Sequence, residues 1–394
     1  MECKIAIVGG GAAGCFCAAQ LRRALPEADI LILEAGRTVM SKLLLTGGGR
    51  CNISNTFRTV EDLSEVYPRG SFFMKRSLHD FGPAQTEAWF SERGVPLFAQ
   101  EDGRMFPRSE KASDVVDCIR RSLQGVRILC SSRISSLEGI DADYIVVTTG
   151  GGGGMELLRN LPVDIQPPVP SLFSFNLPEQ SRDALRPLMG ISAEAMLSIP
   201  GTGFRAKGAL LITDWGFSGP AVLKLSSYAA RHLAGSSYKS PLLVNWAGCN
   251  EEQVAVGLEK LQKDCPRRQL GSVHPAGIAS RLWEYLLLRA GADPARCWGG
   301  TGRKELNRIR ATLSADSYTI AGMNRFKDEF VTCGGVDLHC LSRELECRRR
   351  PGLFFAGEVL DIDAITGGFN LQAAWTSAWT VANAMIKRIK TTES

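Results

Sequence analysis

The chain has no run of 18 or more apolar residues, so no segment of it reads as a membrane-crossing helix. Its twelve cysteines include no C-x-x-C pair and no zinc-site spacing, which argues against a metal centre and a dithiol motif. Histidine is scarce: His79, His232, His274 and His339 are the only four, and none lies in a motif. A Ser-His-Asp or Cys-His hydrolase therefore has no foothold, and the sequence singles out no catalytic side chain. No Gly-Lys-Ser/Thr follows any glycine cluster, which excludes a P-loop. Charge of one sign is also missing in bulk. The net charge is +5 over 394 residues, and the basic runs Arg348-Arg349-Arg350 and Lys387-Arg388-Ile389-Lys390 are short. They read as solvated surface and not as a nucleic-acid contact. Met1-Glu2-Cys3-Lys4 leads straight into a strand pattern with no signal-peptide texture, so the expectation is a reduced, cytoplasmic protein.

Glycine, by contrast, is abundant and clustered, with 41 residues. The first cluster, Gly9-Gly10-Gly11-Ala12-Ala13-Gly14, follows the strand pattern Lys4–Val8 and opens an apolar helix running to about Leu25. It contains G-x-G-x-x-G at Gly9, Gly11 and Gly14. One glycine makes the turn, one admits a pyrophosphate close to the backbone, and one lets helix and strand pack tightly. The free N–H groups of the helix start complete an anion site that includes Ala12 and Ala13. A lone G-x-G-x-x-G is weak. Here a second strand, 29–34, ends in Glu34, 20 residues past Gly14, where a carboxylate can accept both hydroxyls of an adenosine ribose. This βαβ unit predicts FAD or NAD binding.

Two further clusters join it. Lys42-Leu-Leu-Leu-Thr46-Gly47-Gly48-Gly49-Arg50-Cys51-Asn52 can lay bare backbone against a flat ring or a phosphate. Cys51, beside Arg50, is a candidate for a lowered thiol pKa, though no second cysteine stands nearby to make a redox pair. Near the other end, Phe355-Ala356-Gly357-Glu358 is followed by Asp361, Asp363 and Gly367-Gly368-Phe369-Asn370-Leu371-Gln372, which opens a long final helix. Such a helix start suits the electron-rich carbonyl edge of a flavin. A strand pattern at 144–148 ends in Thr149-Gly150, another candidate cofactor contact, but the glycine run through Gly154 has no acidic ribose partner downstream. A dedicated NAD(P)H domain is therefore not expected, and NAD(P)H would act as a transient electron donor.

Ser41 to Asn55 resembles the "KLLxTGGGRCNxTN" signature of a bacterial flavoprotein family described as HI0933-like, YhiN-like or BaiN-like. Gly357 to Gln372 resembles its "GEVLDVDGxxGGYNLQ" ending. Weaker matches lie at Gly103–Pro107, Gly216–Pro220 and Val331–Val336, so the resemblance spans nearly the whole chain. It implies FAD on a Rossmann-type α/β domain, with Gly9, Gly11, Gly14 and Glu34 on the ADP half. It places Lys42, Thr46, Gly48, Gly49, Arg50, Cys51, Asn52 and the segment Gly357, Glu358, Gly367, Gly368, Phe369, Asn370, Gln372 along the ribityl chain and flavin. The sequence departs from the family at Gly151–Gly154, at Ala364, and at Asp214-Trp215, around the expected substrate region.

The expected layout is an FAD-binding domain from residues 1–160 and 331–394. An inserted β-rich domain would occupy 161–250 and 305–330, with a helical subdomain at 251–304. The expected activity is hydride transfer at flavin N5 to or from a small organic substrate. Either an NAD(P)H-driven reductase of an activated C=C bond or an amine or alcohol oxidase fits, and a flavoprotein acting on RNA is the rival from another class. The sequence leaves the oligomeric state open.

Overall fold

The computed structural model describes residues 3–324 and 331–392. The chain forms two compact units, Met1–Pro170 with Lys327–Ser394, and Ser171–Phe326.

In the first unit a five-stranded sheet runs in the order Leu353–Phe355, Tyr144–Val147, Lys4–Val8, Asp29–Leu33, Arg127–Leu129, with every neighbouring pair parallel. Ile5, Ala6, Ile7 and Val8 are all buried, as a strand covered on both faces must be. Chain order reverses at Lys4–Val8, which is flanked by the second strand on one side and the fourth on the other. In a doubly wound sheet that reversal opens a crevice at the carboxyl ends of the strands, where ligands bind. This is the Rossmann arrangement that the glycine motif predicts.

One face of the sheet carries the opening helix Ala12–Ala24 against the closing helix Phe369–Thr392. Phe16 is the key of that contact. Its ring lies 5.2 Å from Trp375, 4.8 Å from Trp89 and 5.5 Å from Phe81. Cys15 and Cys17 are fully buried here, as small apolar groups, and burial pushes the Cys17 thiol up to about 12.

Apolar residues at three-to-four spacing over 75–95 read as one helical stretch, but the structure has two helices there, Ser71–Asp80 and Pro83–Ser91. Gly82 caps the second and Pro83 occupies its first turn, where a missing N–H costs nothing. The prolines of 162–178 do not prevent a strand. Ile165–Ser171 pairs with Val331–Val336 in a two-stranded ribbon, an edge setting in which proline is tolerated.

The second unit is built on a seven-stranded sheet ordered Asp316–Ile320, Ser240–Asn245, Ser192–Ser198, Arg205–Ile212, Gly216–Ser218, Ser174–Asn176, Gly322–Asn324, antiparallel throughout. Strand residues Leu197, Leu210 and Phe217 share one apolar core with Leu258, Leu282, Trp283 and Trp298 from the helical stretch.

Because Phe16 fills the seam between opening and closing helices, Phe16→Ala should cost about 3–5 kcal/mol. A fall in the urea midpoint with an unchanged slope would show it; an unchanged midpoint would mean that the seam is not a stability determinant.

Candidate functional site

The site begins at the first turn. Gly9 has φ +113°, and a Cβ there would lie 2.4 Å from the Thr148 carbonyl oxygen. A Cβ on Gly14 would lie 2.0 Å from the Gly9 oxygen. Both positions demand glycine. At Gly11 nothing lies within 4 Å of an added Cβ, so the face is open where a ligand would come. The helix that starts at Ala12 has no side-chain cap and no acidic residue in its first turn, which leaves its positive end free for an anion. Thr148 holds the turn from below, its hydroxyl donating to Gly9 O at 2.7 Å. Ala13 is buried rather than open.

Glu34 bridges the mouth of this turn. One carboxylate oxygen accepts from Gly10 N and the other from Gly36 N, each at 2.6 Å. Each oxygen keeps further acceptor capacity, so a ribose diol could be added without breaking either bond.

The second cluster is a kinked run, Leu43–Gly49, with φ of +59°, +67° and +84° at Gly47, Gly48 and Gly49. Nothing lies within 4 Å of a Cβ at Gly48 or Gly49. Lys42 is exposed, and Thr46 turns its hydroxyl inward to Leu43 O at 2.7 Å. Arg50 stacks over the Phe106 ring at 4.7 Å and meets Glu110 at 3.4 Å. The weaker match Gly103–Pro107 therefore lies under this loop. Cys51 corrects an expectation. Its thiol is completely buried, and burial pushes it up to about 12. Proximity in sequence to Arg50 does not lower it, because that guanidinium is engaged by Phe106 and Glu110.

The third cluster is stapled to the second. Gly367 O accepts from Asn55 Nδ2 at 3.0 Å, and Ile53 O accepts from the Trp375 indole at 3.0 Å. Asn52 donates its side-chain amide to Ser54 O and accepts from Gly368 N at 2.9 Å. A Cβ on Gly368 would lie 2.1 Å from Ser54 O, so the two segments are in backbone contact. Gly357 approaches the first cluster just as closely: its Cβ would lie 2.6 Å from that of Ala13. The third motif, more than 300 residues beyond the second, thus meets the other two in one unit at the carboxyl end of the parallel sheet.

Other predicted residues take internal roles. Gln372 is completely buried and fully satisfied: Ser54 Oγ and Thr86 Oγ1 donate to it at 2.5 and 3.0 Å, and it donates to Phe81 O and Thr376 Oγ1. Asn370 clamps the loop before it through Ala364 N and O, both at 2.9 Å. Phe369 is buried and its carbonyl accepts from the Tyr67 hydroxyl at 2.8 Å. Glu358 accepts from Thr332 N at 2.9 Å and Gly151 N at 3.2 Å, tying the Gly150 turn, with φ +75°, to the strand Val331–Val336. Beside that turn, the Thr149 hydroxyl is buried with no hydrogen-bond partner among the described residues.

Sequence reasoning missed Thr148, Arg69 and Thr86. Arg69 makes a bidentate, largely buried ion pair with Asp363 across 294 residues of sequence. No local pattern marks such a partner.

The open faces at Gly11, Gly48 and Gly49, the uncapped helix start and the Glu34 carboxylate together fit an extended adenine dinucleotide. A long ligand with an anionic middle and a diol near one end matches that donor and acceptor set.

Gln372→Ala would remove the acceptor of the Thr86 hydroxyl and the shorter of the two contacts of Ser54 Oγ, while Phe81 O keeps its bond from Thr376 Oγ1; each group left unsatisfied costs about 1–3 kcal/mol. Thermal unfolding of the variant should fall well below that of the wild type; equal melting would contradict the clamp role.

A family model described as "HI0933-like protein Rossmann domain" matches residues 3–384. A 3-dehydro-bile acid delta(4,6)-reductase of Clostridium scindens is 26% identical over 417 residues, covering 98% of this chain and 99% of the relative. A ribosomal RNA dihydrouridine synthase of Haemophilus influenzae is 27% identical over 406 residues, covering 95% and 96%. Among solved structures, 3-ketosteroid delta1-dehydrogenase from Sterolibacterium denitrificans superposes with a TM-score of 0.46 at 11% identity, covering 98% of this chain and 99% of that one. With a fold, a glycine turn and a family model that agree over nearly its whole length, the chain belongs to the HI0933-like Rossmann-domain family.

Proposed function

We propose that this chain is an FAD-dependent oxidoreductase that reduces a C=C bond conjugated to a carbonyl, with NAD(P)H as the electron donor. The observation that carries the reading is the meeting of the three glycine clusters in the first unit, with open faces at Gly11, Gly48 and Gly49.

In this reading the amides opening the helix at Ala12 hold the diphosphate and Glu34 holds the adenosine ribose. The Thr46–Asn52 loop and the start of the closing helix flank the ring. FAD, when bound, supplies two-electron hydride exchange at N5. The chain's own share is placement. The staples from Asn52, Asn55 and Trp375 fix the second and third clusters to each other, and the start of the closing helix would offer positive potential to an electron-rich carbonyl edge of a bound flavin. Thr149 offers a buried hydroxyl beside the Gly150 turn that can donate to a bound group.

Two named relatives support reduction over oxidation. A delta(4,6)-reductase acts on a double bond of a bile acid. A dihydrouridine synthase product has lost the uracil C=C bond. Both bonds are conjugated to a carbonyl, which makes them hydride acceptors. A nucleobase in RNA is the second substrate reading, and charge distribution favours it: residues 171–326 carry 19 Lys and Arg against 12 Asp and Glu, while the rest of the chain carries 27 against 29.

Titration of the purified protein with FAD should give a saturable yellow complex. Glu34→Ala should weaken it about tenfold or more, as expected for a lost charge-assisted ribose contact. Unaltered FAD affinity in that variant would remove Glu34 from the site.

Anaerobic addition of NADH or NADPH to the FAD complex should bleach the flavin band within seconds, and a conjugated enone should restore it. Bleaching by an amine or alcohol instead, with none by either nicotinamide, would replace the reductase with an oxidase.

A further inference from the structure

The start of the closing helix is held from a direction that the glycine clusters do not explain. Residues 66–70 lie along residues 362–369 as a strap. Val66 O accepts from Ile365 N at 3.0 Å. Arg69 and Asp363 form an antiparallel bridge. The Tyr67 hydroxyl donates to Phe369 O at 2.8 Å, and a Cβ on Gly70 would lie 2.6 Å from Ile362 Cγ1. Ile362, Asp363, Ala364, Ile365 and Phe369 are all buried. Between them only the tip stays accessible, with Thr366 exposed and Gly367 and Gly368 half-buried.

The ion pair is the polar centre of this strap. Arg69 Nε donates to Asp363 Oδ1 at 2.6 Å, and Nη2 donates to Oδ2. The carboxylate is completely buried and the guanidinium is 15% exposed. Stability alone is a poor reason for such a pair. Desolvating two charges is costly, and an apolar pair of similar volume often does as well or better. What the pair supplies is geometry: two parallel bonds from a planar fork fix both distance and angle. Asn370 clamps the same turn through Ala364 N and O. That local clamp fixes the shape of the turn. Arg69 fixes its placement against a segment 294 residues earlier in the chain.

We propose that Arg69 is a positioning residue: through Asp363 it aims the amino end of the closing helix at the carbonyl edge of a bound flavin, and so tunes the flavin's reduction potential. The inference rests on the FAD reading above. The closing helix has no acidic residue in its first turn, so the positive potential of its opening N–H groups is not cancelled there. Negative charge gathers on the carbonyl edge of a flavin when it is reduced. A well-aimed helix start therefore favours the reduced form, and a loosened one favours the oxidised form.

The test uses the full chain. Arg69→Met alone strands a buried carboxylate, so the informative variant is the double Arg69→Met, Asp363→Leu, which removes both charges and keeps the space filled. It should hold a urea midpoint close to that of the wild type and still take up FAD. Its flavin should equilibrate with a reference redox dye about three- to tenfold further toward the oxidised form. Amide hydrogen exchange over residues 364–370 should be faster in the variant without FAD, with exchange in the strand Lys4–Val8 unchanged. Arg69→Lys, which keeps the charge without the fork, should shift the dye equilibrium in the same direction by less. A wild-type dye equilibrium in the double variant would overturn the inference. So would a shifted equilibrium with unchanged exchange, full rescue by Arg69→Lys, or loss of the folded state in the double variant, which would assign the pair to stability. Failure of the wild type to take up FAD is a separate result, seen before any variant is made, and it would remove the cofactor reading together with the inference.

Discussion

The structure turns on one contact, the approach of the closing helix to the opening helix across the face of the parallel sheet. Phe16 and Trp375 meet there, and Gly357 comes so near Ala13 that a side chain could not fit between them. Everything assigned to the site depends on it. The first turn is contributed by one end of the chain, and the segment from Gly357 to Gln372 by the other. Bringing such distant segments together costs only logarithmically more entropy than a short loop, and a seam of buried aromatics offsets that readily. The long intervening chain is then free to form a second unit with its own core.

Around that seam the polar groups divide between holding and exposing. Gln372, Asn370 and Asn55 spend their hydrogen bonds on other parts of the chain. Gly11, Gly48 and Gly49 show bare backbone on open faces. A site for a large planar cofactor needs both, because a rigid wall must be kept in place by groups that the ligand never touches. Glu34 combines the two roles, already aligned by Gly10 and Gly36 while retaining free lone pairs.

Much of this was legible from sequence because it is local. The strand–glycine–helix signal at 4–25 reports steric needs within a few residues, and the structure places backbone atoms 2.0 and 2.4 Å from the missing Cβ atoms of Gly14 and Gly9. The two longer motifs were legible through family resemblance. What could not be read was pairing at a distance. Nothing near Arg69 announces Asp363, and nothing near Ser54 announces Gln372. The thiol of Cys51 was misjudged for a related reason. Sequence shows the neighbour Arg50 but not the burial, and in the interior desolvation outweighs an adjacent charge that points elsewhere. The break at Gly82-Pro83 was visible as letters, yet continuous apolar spacing on either side masked it.

The interior placement of the thiols has a consequence for chemical durability. Seven of the twelve cysteines are buried and only Cys297 is classed as exposed. Oxidation and alkylation proceed through the thiolate, and burial both hides that form and disfavours it. Reduced flavins in air generate oxidants close to the polypeptide, and the sulfurs beside the first two glycine clusters, Cys15 and Cys51, are both buried, with burial pushing both thiols up. The seven buried thiols are shielded from such oxidants, and Cys297 is the position where modification by them would show first.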